Sequence, residues 1–236
     1  MSITLQELID SSNYIVFFGG AGVSTESNIP DFRSEDGLYR QNFKYPPEVM
    51  LSHSFYERHT EEFFDFYRQK MLFPGAKPNK AHLKLAEMEK AGKLKAVITQ
   101  NIDGLHQAAG SKSVYELHGS VHRNYCQRCV KAFDMEHILH SEGIPKCDCG
   151  GIIKPDVVLY EEGLDSDTVN GAMNHITRSD LLIVGGTSLT VYPAAGMINY
   201  RGGKIVLINK TPTAADDFAD LIIKEPIGEA LDKIKV

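Results

Sequence analysis

The chain has 236 residues, 42% of them hydrophobic and 24% charged, with a formal net charge of −6. That length holds one sizeable domain plus a small satellite, and the composition is ordinary for a globular protein. The acidic balance argues against direct nucleic-acid binding, and no apolar stretch approaches the roughly 20 residues that a membrane helix needs. Met1-Ser2-Ile3-Thr4 is not a basic stretch leading into an apolar run, so the expected location is cytoplasmic.

In chain order, Thr4-Leu5-Gln6-Glu7 has the pattern of a capping box opening a short helix through Ile9. Tyr14–Phe18 is an apolar, β-rich run and the first predicted strand. It breaks into Gly19, Gly20, Ala21 and Gly22 and then small polar residues, among them Ser24. Glycine allows a tight turn and close backbone approach, so this turn is expected to present free N–H groups to a pyrophosphate. Ile29-Pro30-Asp31-Phe32-Arg33 follows, joining a rigid turn, an acid, an aromatic and a guanidinium beside that site. The stretch from Ile29 to about Lys44 has no regular pattern and a glycine at Gly37, which suits a lid closing over the ligand.

No strand is predicted between Asp36 and Pro78. Phe55, Tyr56, Phe63, Phe64, Phe66, Tyr67 and Phe73 fall at roughly helical spacing and are expected to be core contacts of a helical insertion. Asn79 should cap a helix running through Ala81, Leu85 and Met88 to Gly92. Strands are predicted at Leu94–Thr99, Val114–Leu117, Val157–Tyr160, Leu181–Val184, Lys204–Ile208 and Leu221–Ile223, with helices after Asp165 and over Pro193–Tyr200. Alternating strands and helices imply an α/β fold with a doubly wound, mostly parallel sheet.

Several constellations carry chemistry. G-A-G-V-S lacks the third glycine of the dinucleotide fingerprint, and no acid ends a second strand about 20 residues on, so a simple dehydrogenase fits poorly. Asn209-Lys210 ends the Lys204–Ile208 strand, where an amide suits ribose hydroxyls. Gln100, Asn101 and Asp103, just after the second strand, suit a carboxamide and a ribose. His118, followed by Gly119 at a strand end, is a candidate base at neutral pH. Cys126-x2-Cys129 and Cys147-x-Cys149 pair like a zinc ribbon, whose four thiolates close the coordination shell and make the metal structural. His122, His137 or His140 are alternative ligands, because the second pair has a tighter bite than usual.

In order along nearly the whole chain, these motifs resemble the sirtuins, the NAD-dependent protein deacylases. The set is G-A-G-V-S at Gly20–Ser24, I-P-D-F-R at Ile29–Arg33, P-N-K-A-H at Pro78–His82 and T-Q-N-I-D-G-L-H at Thr99–His106. It continues with His118-Gly119, the cysteine pairs, K-P-D-V-V-L-Y at Lys154–Tyr160, G-T-S-L at Gly186–Leu189 and I-N-K at Ile208–Lys210. The resemblance implies a Rossmann-like NAD-binding domain over 1–37, 78–121 and 155–236, and a small lobe made of a helical module, 38–77, and a zinc ribbon, 122–154. It implies removal of acyl groups, acetyl foremost, from protein lysines, with release of nicotinamide and O-acyl-ADP-ribose. His118 matches the general base. Asn101 and Asp103 match the nicotinamide pair, walled by Ile102. Gly20, Ala21, Gly22, Ser24, Asp31, Phe32, Arg33 and Gln100 match other NAD contacts. Gly186, Thr187, Ser188, Asn209 and Lys210 match the phosphate and adenosine side. Val157 and Val158 lie where an acyl-lysine peptide adds as a strand, with Gly163 and Leu164 near its other side. Oligomeric state stays open, a monomer being one possibility.

The chain departs from the family at Lys154, where many relatives have Arg, and at Glu161, where many have Gly before the acid at Glu162. Phe64 and Tyr67 stand where desuccinylating relatives carry a Tyr and an Arg, which points to neutral acyl groups. Protein ADP-ribosylation and non-catalytic NAD sensing are the rival expectations.

Overall fold

A computed structural model describes residues 3–32, 37–40 and 43–236. It opens on α1 (Leu5–Ser11), where Thr4 Oγ1 accepts from Glu7 N at 3.2 Å and the Glu7 carboxylate accepts from Thr4 N at 2.8 Å. This is the expected capping box. Then come β1 (Ile15–Gly19), α2 (Pro47–Met50), α3 (His53–Arg58), α4 (Thr60–Lys70), α5 (Lys80–Lys90) and β2 (Leu94–Thr99). The chain continues through α6 (Leu105–Ala108), β3 (Val114–Glu116), β4 (Gly119–Cys126), β5 (Ala132–Phe133), α7 (Met135–His140) and β6 (Ile153–Val157). It ends with α8 (Ser166–Arg178), β7 (Leu181–Gly185), β8 (Lys204–Ile208), β9 (Leu221–Ile223) and α9 (Ile227–Asp232).

Six strands pair in parallel in the order β3-β2-β1-β7-β8-β9. The order runs outward from β1 in both directions and so reverses between β1 and β7, the point at which such sheets open a crevice beyond their strand C-termini. Every residue of β1 and β7 is buried, because helices cover both faces and continuous apolar runs suit that position. Alternation divides the contacts. Phe17 packs with α1, α5 and α9 residues such as Leu8, Leu85 and Leu231, while Val16 and Phe18 pack with Ile176 of α8 and with Met197 and Ile198.

A separate antiparallel sheet, β5-β4-β6, shares a third core with α3 and α4. The aromatic run from Phe55 to Tyr67 is this core, whereas Phe73 is half-buried and lies outside it. Phe63, Phe64 and Tyr67 are fully buried, and truncating any one to Ala costs about 3–5 kcal/mol. Among the described residues no strand lies between Asp36 and Pro78, as expected. Arg123 of β4 braces the two sheets, its Nη1 2.7 Å from Glu116 of β3 and its Nε 2.7 Å from Asp156 of β6.

The strand expected at Val157–Tyr160 is corrected to Ile153–Val157, and it belongs to the small sheet. Ile153, Pro155 and Val157 alternate inward, with Pro155 tolerated because β6 is an edge strand. Beyond Val157 the chain leaves the sheet. Val158 N bonds His118 O at 3.0 Å, and Tyr160 N bonds Leu51 O at 3.0 Å. The expected module boundaries at 121/122 and 154/155 fall inside β4 and β6, so the small sheet reaches back toward the main one.

Candidate active site at the crossover of the main sheet

β1 and β7 end side by side, with Gly19 opposite Gly185. The turns that follow interlock: Gly20 N donates to Gly185 O at 3.3 Å and Gly22 N to Gly186 O at 2.8 Å. A Cβ on Gly22 would lie 2.8 Å from Gly186 Cα, and one on Gly20 would lie 2.8 Å from Thr187 Cβ. Of the turn expected to present free N–H groups, Ala21 keeps its donor open among the described residues and the two glycines do not. They allow two turns to touch, and their own donors are used in doing so. Around these turns, the N–H groups of Ala21 and Ser188 have no protein partner among the described residues. Gly186, at φ +59°, turns the second loop so that Thr187 meets the end of β8. The Asn209 amide grips the Thr187 backbone from both sides, accepting its N–H at 3.1 Å and donating to its carbonyl at 2.9 Å. Thr187 Oγ1 in turn accepts from Gln100 Nε2 at 2.9 Å. Asn209 thus fixes the turn, while Lys210 is exposed beyond it and the Ser188 hydroxyl bonds that of Thr190.

On the β2 side of β1, Ser24 Oγ donates to Asp103 Oδ2 at 2.6 Å and accepts from Asn101 Nδ2 at 3.0 Å. Ser24 and Asn101 are buried. Asp103 Oδ1 accepts from Leu105 N at 2.9 Å, so the acid is held from both sides and anchors the start of α6. His122 donates from Nε2 to the Asp103 carbonyl at 3.0 Å and fills the space that a side chain on Gly104 would need. Ile102 is half-buried against the small-lobe core. This role of His122 is not foreshadowed in the sequence, where it stands only as an alternative metal ligand.

His118 joins the two halves. Its Nδ1 lies 2.9 Å from the Gln100 carbonyl, which can only accept, so Nδ1 carries the proton and Nε2 keeps a lone pair. Burial pushes its pKa below the ordinary histidine value, opposed by the Gln100 bond. Gly119, at φ +75°, is pressed against the Asp156 carbonyl, where any side chain would overlap it. Phe32 packs edge-on to Tyr39 at 5.6 Å, and the Asp31 carbonyl accepts from Leu38 N at 2.9 Å. Arg33 lies outside the described residues, as does part of the proposed lid, 33–36 and 41–42.

The four cysteine Sγ atoms lie within 4.8 Å of one another, with Cys126–Cys149 at 3.4 Å and Cys129–Cys147 at 3.6 Å. A tetrahedral zinc with Zn–S bonds of about 2.3 Å spaces its sulfurs about 3.8 Å apart, so the cluster fits the ion. The alternative histidines are engaged elsewhere: His140 with Glu136 at 3.1 Å, His137 against Phe133 at 4.6 Å, and His122 as above.

A family model described as the Sir2 family matches residues 20–193. The chain belongs to the Sir2 family. This Sir2 chain is 64% identical over 235 residues to an NAD-dependent protein deacetylase of Clostridium acetobutylicum, covering 98% of this chain and 96% of that one. A solved Sir2 homologue in complex with ADP ribose superposes with a TM-score of 0.90 at 39% identity, covering 99% of this chain and 94% of that one. A solved Sir2 protein with p53 peptide and NAD+ superposes with a TM-score of 0.85 at 42% identity, covering 95% and 93%. The Rossmann-like sheet, the helical insertion and the cysteine-bounded ribbon of the Sir2 fold are all present here.

Proposed function

We propose that this chain removes acyl groups, acetyl foremost, from protein lysines, using NAD as co-substrate and releasing nicotinamide and O-acyl-ADP-ribose. The observation that carries the reading is His118. It is neutral, held by the Gln100 carbonyl so that Nε2 is free, and positioned beyond the strand ends beside the Asn101–Ser24–Asp103 cluster. An unprotonated imidazole in that place takes a proton from a ribose hydroxyl, as the second half of the reaction requires. The fixed carboxylate and amide of Asp103 and Asn101 suit the nicotinamide carboxamide, and the burial of Asn101 and Ser24 keeps water from the bond that breaks. The unpartnered N–H groups of Ala21 and Ser188 suit phosphate oxygens.

The edge strand β6 offers its free side to an extended peptide. Val157 and Val158 would meet the peptide backbone, with Gly163 and Leu164 at the far end. Phe64 and Tyr67 are fully buried, and Arg68, 5.9 Å from the Phe64 ring, donates to the Gly143 carbonyl at 2.8 Å. Neither observation favours an acidic acyl group. Cys126, Cys129, Cys147 and Cys149 would hold a structural zinc that ties β4 to the loop before β6. The division into an NAD-binding domain, a helical module and a ribbon, and a cytoplasmic location without nucleic-acid contact, complete the reading. Among the described residues no helix is long and apolar enough to cross a membrane.

The test is mass spectrometry of purified protein with acetyl-lysine peptide and NAD. Deacetylated peptide with one O-acetyl-ADP-ribose per nicotinamide supports the reading. ADP-ribosylated protein without deacetylation replaces it with transferase chemistry, and nicotinamide-free inertness leaves only NAD sensing.

A further inference from the structure

Glu161 has φ +77°, in the left-handed region that non-glycine residues rarely occupy. Its side chain is turned onto α3: Oε2 accepts from Ser54 N at 2.8 Å and Oε1 from the Ser54 hydroxyl at 3.0 Å. Ser54 is the second residue of α3, and N–H groups in a helix's first turn have no partner within the helix. The neighbouring donors are satisfied in the same manner. His53 N donates to the Tyr160 carbonyl at 2.9 Å, and Phe55 N to Ser52 Oγ at 3.2 Å. Two of the three opening donors of α3 thus find their acceptors in the segment that follows β6.

The next residue adds to the clamp. Glu162 meets His53 Nδ1 at 2.8 Å and Lys154 Nζ at 3.2 Å, and accepts from Leu159 N at 2.8 Å. The Tyr160 hydroxyl lies 2.6 Å from that of Tyr39. Glu161 and Gly163 are exposed residues, and the backbone N–H and C=O of each have no protein partner among the described residues. A backbone edge held rigid with open hydrogen-bonding groups is pre-ordered for an incoming strand, which lowers the ordering cost of binding.

We propose that Glu161 is a positioning residue for the acyl-lysine peptide, locking the peptide-receiving segment beyond β6 onto α3 through Ser54. The inference rests on the reading of this chain as a peptide deacylase. A glycine at this position would adopt the same backbone without strain but has nothing with which to reach α3.

The test uses the full zinc-loaded chain with a fluorescent acetyl-lysine peptide, read by anisotropy and by steady-state kinetics. Glu161→Gly is expected to weaken peptide binding and raise peptide KM about tenfold, the scale of one charge-assisted hydrogen bond in an exposed place, with the KM for NAD within about twofold. Glu161→Gln, whose amide still accepts from Ser54 N, should recover most of the loss. Ser54→Ala, which keeps the N–H bond, should fall between the two. Unchanged peptide affinity in Glu161→Gly overturns the proposal. So does an equal rise in both KM values, the signature of general damage, or a failure of Glu161→Gln to recover. Wild type that binds peptide through this clamp yet does not deacetylate it would sink the parent reading alone.

Discussion

Lowering the pH from 7.5 to 5.0 should remove about 4 kcal/mol of folding stability through two buried histidines that take no direct part in the chemistry. His82 and His106 are fully buried, with ring centroids 4.7 Å apart. Asn79 N donates to His82 Nδ1 at 3.2 Å, so the His82 proton sits on Nε2, and neither this nitrogen nor either nitrogen of His106 has a protein partner among the described residues. Burial lowers the His82 pKa from 6.5 to about 4, against the pull of Asp103. Burial, then the His82 charge, lowers that of His106 to about 3. Both folded values lie below the unfolded one, so the stability is present above pH 6.5 and is lost as the pH falls through the folded values, about 4 for His82 and about 3 for His106. At pH 5.0 the unfolded state binds a proton at each site and the folded state does not. About 1.5 pH units at about 1.4 kcal/mol per unit gives roughly 2 kcal/mol per histidine. Urea unfolding at the two pH values, with zinc in excess, compares wild type with His106→Leu. The variant should lose about 2 kcal/mol less than wild type over the same interval. Equal losses in the two proteins would refute the reasoning.

The same physics governs activity. Because burial holds His118 below the ordinary histidine range, kcat/KM should fall on the acid side with an inflection under pH 6.5, and an inflection above 7 would contradict the neutral Nε2. Gly22→Ala places a Cβ 2.8 Å from Gly186 Cα and should cost about 1–3 kcal/mol of stability while weakening NAD binding, read by thermal melting and calorimetry. Stability and NAD affinity equal to wild type would show that the two turns can separate freely. Cys126→Ala or complete chelation should lower the melting temperature sharply, since structural zinc supplies on the order of 10 kcal/mol of apparent binding energy. Unchanged melting after complete metal removal would count against the ribbon.

Much of this was legible in the residues. β1 announces itself because a strand covered on both faces is apolar throughout, and Leu94–Thr99 falls where the sequence puts β2 in spite of its half-buried Lys95. The cysteine spacing suffices for a thiolate cluster, and Asn101, Asp103 and His118 sit at the ends of strands, where ligands meet open sheets. Other features depend on long-range partners. Lys154 and Pro155 dilute the alternation of β6, and only pairing with β4 reveals the strand. The helix α9 has only six residues and so little periodicity, and its packing against α5 decides it. The protonation of His118 is set by a carbonyl 18 residues away in sequence, and the glycines of the first turn answer to Gly186 and Thr187 on another strand.

The most direct measurement is the turnover of acetyl-lysine peptide with NAD by wild type beside His118→Ala. The account predicts NAD-dependent deacetylation by wild type and a variant at least ~100-fold slower in product formation, with peptide and NAD binding retained. A variant as fast as wild type would contradict it.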